Sequence, residues 1–372
     1  MTRVTPRGNW GVVAADVPRH AVWNTGAVPQ LPPLPVRDGV NATRLTVPAS
    51  GWDSILDYVL HRWGHVDPDG IVERFRTGEV RAADGAVVTE TTPLGAHDFV
   101  WYYRTVPHED PIPFPVTVLH QDEHLLAVDK PHFLPTTPGG RFVQETALVR
   151  LRNQLGLDHL VPMHRLDRAT AGVLLFSTNP DTRGPYQVLF ERRQVWKVYE
   201  AVSALPAGRG ADLAARFPVT YRNRMDKVKG VLTARTLDYA PRESGRSPGA
   251  PARPGRRTNR PTTGANAQTR IELIAAGVSA GTWAGAGVGH LRLFPRTGRT
   301  HQLRVHLAAL GLGILNDPFY PVLQDVAPDD YERPLQLLAH TIGFTDPLTG
   351  AERRFSTRLQ LRERPVPGPC TG

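Results

Sequence analysis

The amino-acid sequence predicts an α+β fold, in which a small module precedes one larger domain. From about residue 112, short β-type runs are interspersed with segments whose apolar residues have helical spacing. The length of 372 residues is enough for two domains, and no apolar run approaches the ~18 residues of a membrane helix. We expect a Pro-rich arm at 1–45, a small α+β module at 46–108, and a main domain at 112–365. A disordered Arg/Pro-rich insertion is expected at 241–268, because its almost complete lack of apolar residues prevents burial of a core.

The small module is predicted to combine two helices with a hairpin. Apolar spacing predicts helices over 52–63 and 69–76. Asp84-Gly85 between short β-type runs favours a hairpin turn, and a closing strand is expected over 99–103.

The main domain is predicted to alternate strands and helices. Strands are expected over 116–128 (with a turn at 122–123), 172–177, 196–203 and 269–274, and helices over 145–155, 181–193 and 300–310. For the last helix, Thr300 is the expected N-cap and Gly311 the expected C-terminal stop.

Charge and cysteine content restrict the function classes. The formal net charge of +9 favours a polyanionic partner, nucleic acid above all. Residues 241–260 contribute +5 of this charge, from six arginines and one glutamate. The single cysteine, Cys370, excludes intramolecular disulfides and cysteine-based zinc sites. The N-terminus has no pattern typical of a signal peptide, so we expect a cytoplasmic protein without a membrane partner.

The most informative stretch runs from His164 to Phe176. It places Asp167 between two arginines, Arg165 and Arg168, just ahead of an apolar run. The carboxylate could be a turn residue that accepts backbone N–H bonds. It could equally be a lone acid held for covalent or proton-transfer chemistry.

Four motifs in the expected order resemble those of the RluA-type pseudouridine synthases, over residues 115–350. They are Leu125-Leu126-Ala127-Val128-Asp129-Lys130-Pro131, His164-Arg165-Leu166-Asp167 followed by Thr170-Ala171-Gly172, Lys197-Val198-Tyr199-Glu200-Ala201 and Arg296-Thr297-Gly298-Arg299-Thr300-His301-Gln302-Leu303-Arg304-Val305-His306-Leu307. The resemblance implies a mixed, mainly antiparallel sheet with flanking helices. It also implies an RNA uridine isomerase that needs no cofactor, metal or nucleotide.

The resemblance implies three catalytic residues. Asp167 would be the reacting carboxylate, either attacking the anomeric carbon or removing a ribose proton. Arg299 would pair with it and keep it ionised. Tyr199 would stack on the uracil and take the final proton.

Six further residues are expected to bind substrate. Arg165 would fill the space left when the target uridine flips out of its stack. Lys197 would hold a phosphate or the arginine pair, and His164 could assist. In the last motif, the substrate-binding candidates are Thr300, His301 and Gln302.

The small module resembles a degenerate alpha-L RNA-binding domain, for which Arg74, Arg76 and Arg81 would supply a basic face. The chain departs from the family at Asn316-Asp317-Pro318, where a Gly-Asp pair is usual, and at His340, which lies two residues after the usual histidine. We expect these departures to affect loop shape and packing, and so substrate choice more than chemistry.

The predicted substrate is structured RNA, with ribosomal RNA ahead of transfer RNA, and the predicted protein is a monomer. Two other functions stay open. A glycosidase or base-excising glycosylase generally needs a second carboxylate, and only Asp167 stands in a motif. A non-catalytic RNA-binding or folding factor is the other alternative. His301 and His306 do not have the i, i+4 spacing of a helical zinc site.

Overall fold

The computed structural model describes residues 32–104, 108–205, 215–228, 231, 233–236, 264–325 and 327–366. The chain divides into two compact units. Within the described residues, the first contains 32–35 and 42–104, and the second contains 36–41 and the residues from 108 onward. No helix in these ranges is long and apolar enough to cross a membrane.

The first unit packs two helices on a small sheet. Strands β1 (Thr43–Thr46), β2 (Arg81–Ala82) and β3 (Phe99–Tyr102) are antiparallel in the order β1-β3-β2. Helix α1 (Ile55–Trp63) begins with a capping box between Ser54 and Asp57, and α2 (Pro68–Arg76) has proline at its start, where no N–H is needed. The two predicted helices are present, and Arg81 forms a β-bridge with Val87 across the predicted turn at Asp84-Gly85.

The second unit is built on a mixed sheet. Its strands are β4 (Thr117–Gln121), β5 (Leu125–Lys130), β6 (Val161–Pro162), β7 (Ala171–Ser177), β8 (Trp196–Ala204), β9 (Val219–Asn223), β12 (Ala267–Ser279), β13 (Gly287–Pro295), β14 (Leu337–Thr345), β15 (Glu352–Ser356) and β16 (Pro365–Val366). The main order is β16-β12-β13-β8-β14-β7-β5-β4, and β15, β6 and β9 pair with β14, β7 and β12. All pairs in this sheet are antiparallel except β7 with β14, so the sheet is mixed and mainly antiparallel. A separate hairpin is formed by β10 (Met225–Asp226) and β11 (Arg235–Thr236).

The centre of the sheet depends on a close backbone approach. Every residue of β7 is buried between β5 and β14, which explains its continuous apolar sequence. Gly172 has a φ of +115°, and a Cβ there would lie 2.2 Å from Ala339 O. Only glycine permits this crossing of β7 and β14.

Within the described ranges, three helices flank the sheet. Helix α3 (Ala147–Leu155) is capped by Thr146 and ends at Gly156 in the left-handed region, and α4 (Arg183–Glu191) follows β7. Helix α5 (Gln302–Ala309) begins later than predicted: its N-cap is His301, not Thr300. His301 lies in the left-handed region and its side chain makes no capping bond, so the helix start follows tertiary contacts rather than capping preference.

Two predicted boundaries differ from the structure. Residues 36–41 belong to the second unit, because buried Arg152 donates to Gly39 O (3.0 Å) and Asn41 Oδ1 (3.1 Å). The predicted insertion at 241–268 runs too far, since Ala267 and Gln268 already pair with β9. Its residues 241–263 lie outside the described ranges.

Candidate active site

The loop between β6 and β7 carries Asp167 and is fixed through its backbone. Thr136 Oγ1 donates to Leu166 O (2.9 Å) and accepts from Leu166 N (3.2 Å). Thr170 N donates to Asp167 O (3.0 Å), and the Leu166 side chain is buried. A loop whose polar backbone is satisfied in this way holds its side chains in one geometry.

Lys130, the last residue of β5, and His132, two residues later, also hold the loop. Lys130 is completely buried, and its Nζ donates to the carbonyls of Pro131 (2.8 Å), Leu134 (2.7 Å) and Arg168 (3.3 Å). Burial lowers the pKa of Lys130 to about 7, although the charge of Asp167 opposes the change. His132 Nδ1 donates to Ala169 O (2.7 Å).

The Asp167 carboxylate is one-third exposed and lies near two basic side chains. Its Oδ2 is 3.8 Å from Arg304 Nη1 and 3.9 Å from His301 Nε2, and the side chain is 33% exposed. The group is therefore both accessible to a substrate and flanked by hydrogen-bond donors.

Arg304 is a buried cation held by a second carboxylate. Its side chain is 2% exposed and pairs with the fully buried Asp317, through Nε to Oδ2 (2.8 Å) and Nη2 to Oδ1 (2.5 Å). Burial opposes the charge, but the hydrogen bonds to Asp317 and the nearby Asp167 outweigh it and raise the pKa of Arg304. The bidentate pair fixes the plane of the guanidinium beside Asp167.

Tyr199 lies on β8, opposite Leu293 of β13 and Ala339 of β14. Burial raises its pKa far above the ordinary value, and the negative charge of Asp167 adds to the effect. The phenol therefore stays protonated close to Asp167.

The structure does not place Arg299 against Asp167, so the prediction of that pairing is wrong. Arg299 is exposed in the loop before α5, and its Nε donates to Asn266 O (3.3 Å). Arg304 occupies the predicted place because it lies in the first turn of α5, which faces the Asp167 loop.

The three predicted substrate-binding residues of the last motif have different surroundings. Thr300 is exposed. Gln302 is buried and braces the helix start, since Oε1 accepts from Thr297 Oγ1 (2.7 Å) and Nε2 donates to Thr269 Oγ1 (3.0 Å). His301 alone of the three predicted binders lies beside Asp167.

His164, in the β6–β7 loop, and Lys197, in β8, both contact Phe190 of α4. His164 Nε2 accepts from Leu175 N (3.2 Å), its ring stacks on Phe190, and Lys197 Nζ lies 5.2 Å from the centre of the Phe190 ring. Burial lowers the pKa of His164, with the Lys197 charge adding to it, and burial lowers the pKa of Lys197 to about 8. These contacts support the β6–β7 loop from behind, whereas Arg165 is exposed next to Asp167.

From the sequence, Arg168 was named only as a neighbour of Asp167, and its structural role was missed. Arg168 pairs with Asp329 through both guanidinium ends and lies over Phe142, so it braces the loop. Arg304 and its partner Asp317 were also missed. The available indication was an arginine between Leu303 and Val305, because a charge among apolar helix residues needs a buried carboxylate.

The arrangement can support acid, base or nucleophilic chemistry by a single carboxylate. Within the described ranges, no group of three or more His, Cys, Asp or Glu side chains is arranged to hold a metal ion. Asp317, the second carboxylate that contacts Arg304, is fully buried and paired with that arginine. The described site therefore lacks the paired open carboxylates of glycoside hydrolases.

The chain matches the RNA pseudouridylate synthase family over residues 124–309, a range that includes Asp167, Tyr199 and Arg304. It is 32% identical to an RNA pseudouridine synthase of Synechocystis sp., over 72% of this chain and 79% of the relative. It is 27% identical to the dual-specificity RNA pseudouridine synthase RluA of Haemophilus influenzae, over 65% of this chain and 92% of the relative. Identity to tRNA pseudouridine synthase C of Pasteurella multocida is 31%, over 64% of this chain and 85% of the relative. The chain thus belongs to the RNA pseudouridylate synthase family, in the RluA-type group that its motifs predicted, and is an RNA pseudouridine synthase, an isomerase.

Proposed function

We propose that this synthase isomerises a flipped uridine in structured RNA, with Asp167 as the reacting carboxylate. The observation that carries the proposal is the accessible carboxylate of Asp167 next to the buried Arg304–Asp317 pair. Among RNAs, we place ribosomal RNA first and transfer RNA second; one relative is by name a transfer RNA enzyme.

In the proposed reaction the bond from ribose C1′ to uracil N1 breaks, the base turns, and C1′ bonds to C5. Asp167 either attacks C1′ or removes a ribose proton, and both routes need it ionised. The Arg304 guanidinium, whose Nη1 lies 3.8 Å from Asp167 Oδ2, is proposed to orient the carboxylate. C5 loses a proton to a base and N1 gains a proton. The product therefore has the same atoms as the substrate.

Tyr199 is proposed to stack on the detached uracil. Its raised pKa keeps it as a neutral phenol, which suits packing against a base. A phenolate acceptor for the C5 proton is disfavoured by the same burial. The role proposed for Tyr199 is therefore stacking on the uracil, and the C5 proton is proposed to pass to another acceptor.

Base flipping is proposed because a uridine within a stack cannot present its C1′ to a carboxylate in a fixed loop. Exposed Arg165, adjacent to Asp167, is placed to occupy the vacated stack. The small N-terminal module is proposed to add RNA affinity. The enzyme is proposed to act as a monomer in the cytoplasm.

The test uses RNA labelled with tritium at uridine C5 and purified from cells lacking the gene. The expected result is tritium release by wild type and none by Asp167→Asn, with RNA affinity retained. Asp181→Asn, an exposed carboxylate at another site, is the matched control and should keep full turnover. Free uracil as product would support a glycosylase instead, and binding without tritium release by wild type would support a non-catalytic factor.

A further inference from the structure

We infer that His301 is a positioning residue for Asp167, held in one tautomer by the Tyr320 hydroxyl and the backbone of Ala234. The inference rests on the proposed function, in which Asp167 is the reacting carboxylate. It assigns a role to a chain of contacts that the proposed reaction has not used.

His301 adopts a backbone conformation that is uncommon for a residue with a side chain. Its φ is +57°, directly before α5, and the imidazole is 10% exposed. Such a conformation persists where the surroundings determine it, often at functional sites. Here it places Nε2 3.9 Å from Asp167 Oδ2, a separation that substrate binding can shorten to a hydrogen bond.

Tyr320 determines which imidazole nitrogen carries the proton. Ala234 N donates to the Tyr320 oxygen (2.6 Å), which leaves the hydroxyl proton for an acceptor. Of the two acceptors, His301 Nδ1 is nearer (3.0 Å) than Ala234 O (3.3 Å). With Nδ1 accepting, the ring proton lies on Nε2 and faces Asp167.

The surroundings of His301 keep its imidazole neutral, so the tautomer decides whether the ring can donate to Asp167. Asp167 and Asp317 favour a protonated imidazole, whereas Arg304 and Lys227 disfavour it. Burial is the largest effect and lowers the pKa of His301. The ring is therefore neutral near pH 7, and a neutral ring donates to Asp167 only if Nε2 carries its one proton.

The contact chain ends on a segment outside the main sheet. Ala234 immediately precedes β11, and the cluster of Met225, Ala234 and Tyr320 is buried. The β10–β11 hairpin thus fixes the Tyr320 hydroxyl, which fixes His301 and through it the acid.

The test is the pH dependence of single-turnover tritium release by Tyr320→Phe. We expect a loss between about tenfold and 100-fold at pH 8, with RNA affinity unchanged. The loss should shrink as the pH falls, because a protonated imidazole donates from both nitrogens. On a His301→Gln background, whose amide nitrogen needs no tautomer, Tyr320→Phe should add less than about twofold.

Tyr186→Phe is the matched control, since it removes another buried hydroxyl, one that donates to Asp346 (3.1 Å). It should keep the wild-type rate at each pH. A loss in Tyr320→Phe that is independent of pH, or equal in the His301→Gln background, would overturn the inference. Inactive wild type or active Asp167→Asn would instead refute the proposed function.

Discussion

Replacing Arg304 by methionine separates the stability role of the Arg304–Asp317 pair from its role at Asp167. Asp317 has no exposed side-chain surface, so the variant leaves a buried carboxylate without its cation. Breaking such a pair costs about 3–5 kcal/mol. Turnover should also be lost, because the guanidinium 3.8 Å from Asp167 is gone.

The double variant Arg304→Met/Asp317→Asn tests the reasoning. Asp317 Oδ1 also accepts from Phe319 N (2.8 Å) and Tyr320 N (3.1 Å), and an asparagine oxygen can keep both bonds. With no buried charge left, most of the lost free energy of unfolding should return, while turnover stays absent. Urea unfolding gives the first quantity and tritium release the second. The reasoning is refuted if Arg304→Met costs under about 1 kcal/mol, or if the double variant regains turnover.

Three further predictions test the rest of the site and the sheet. Arg299→Ala should keep turnover within about threefold, because it removes one exposed hydrogen bond to Asn266 O, worth about 0.5–1 kcal/mol. If the tritium assay shows a loss as large as that of Asp167→Asn, Arg299 is a catalytic residue after all. Gly172→Ala should lower the free energy of unfolding by at least about 1–3 kcal/mol in urea titrations, since the new Cβ would clash with Ala339 O. An unchanged urea midpoint would contradict the close approach of β7 to β14 at this residue. The folded-state pKa of Lys130 is depressed to about 7, so between pH 7 and its ordinary value the unfolded chain binds the extra proton and stability should rise with pH. Urea unfolding from pH 7 to 9 should show this rise in wild type, by at most about 1.4 kcal/mol per pH unit, and a smaller rise in Lys130→Met. If the free energy of unfolding depends on pH equally in both proteins, the lowered pKa of Lys130 is contradicted.

The strands of the second unit could be predicted because the burial of each strand determines its pattern of apolar and polar residues. The continuous apolar run of β7 and the alternating charge and apolar residues of β12 reflect one strand buried on both faces and one near an edge. Their pairing is less accessible to prediction. The parallel contact of β7 with β14 joins residues far apart in sequence and depends on the glycine at 172.

The choice between Arg299 and Arg304 could not be made from the sequence for a physical reason. Helix α5 is buried from Gln302 through Leu307, so it lacks the polar stripe that would show which side faces the sheet. Its start at His301 uses a left-handed residue, which capping preferences do not predict. The association of Asp167 with Tyr199 came from the family resemblance and not from the strand pattern. In the structure the charge of Asp167 contributes to the raised pKa of Tyr199, and the catalytic roles of both residues stay predictions.

The Asp167 loop is secured at Leu166, Arg168 and Ala169 by side chains from a single short segment of the chain, residues 130–136. Under the proposed base flipping, we expect this support to hold the loop still, so that the RNA and not the loop deforms. The energetic cost of deformation then falls on the substrate and depends on how firmly the uridine is paired and stacked. We therefore propose that selectivity among uridines includes a mechanical component, in which sites that open easily react ahead of sites with the same neighbouring bases in a stable helix.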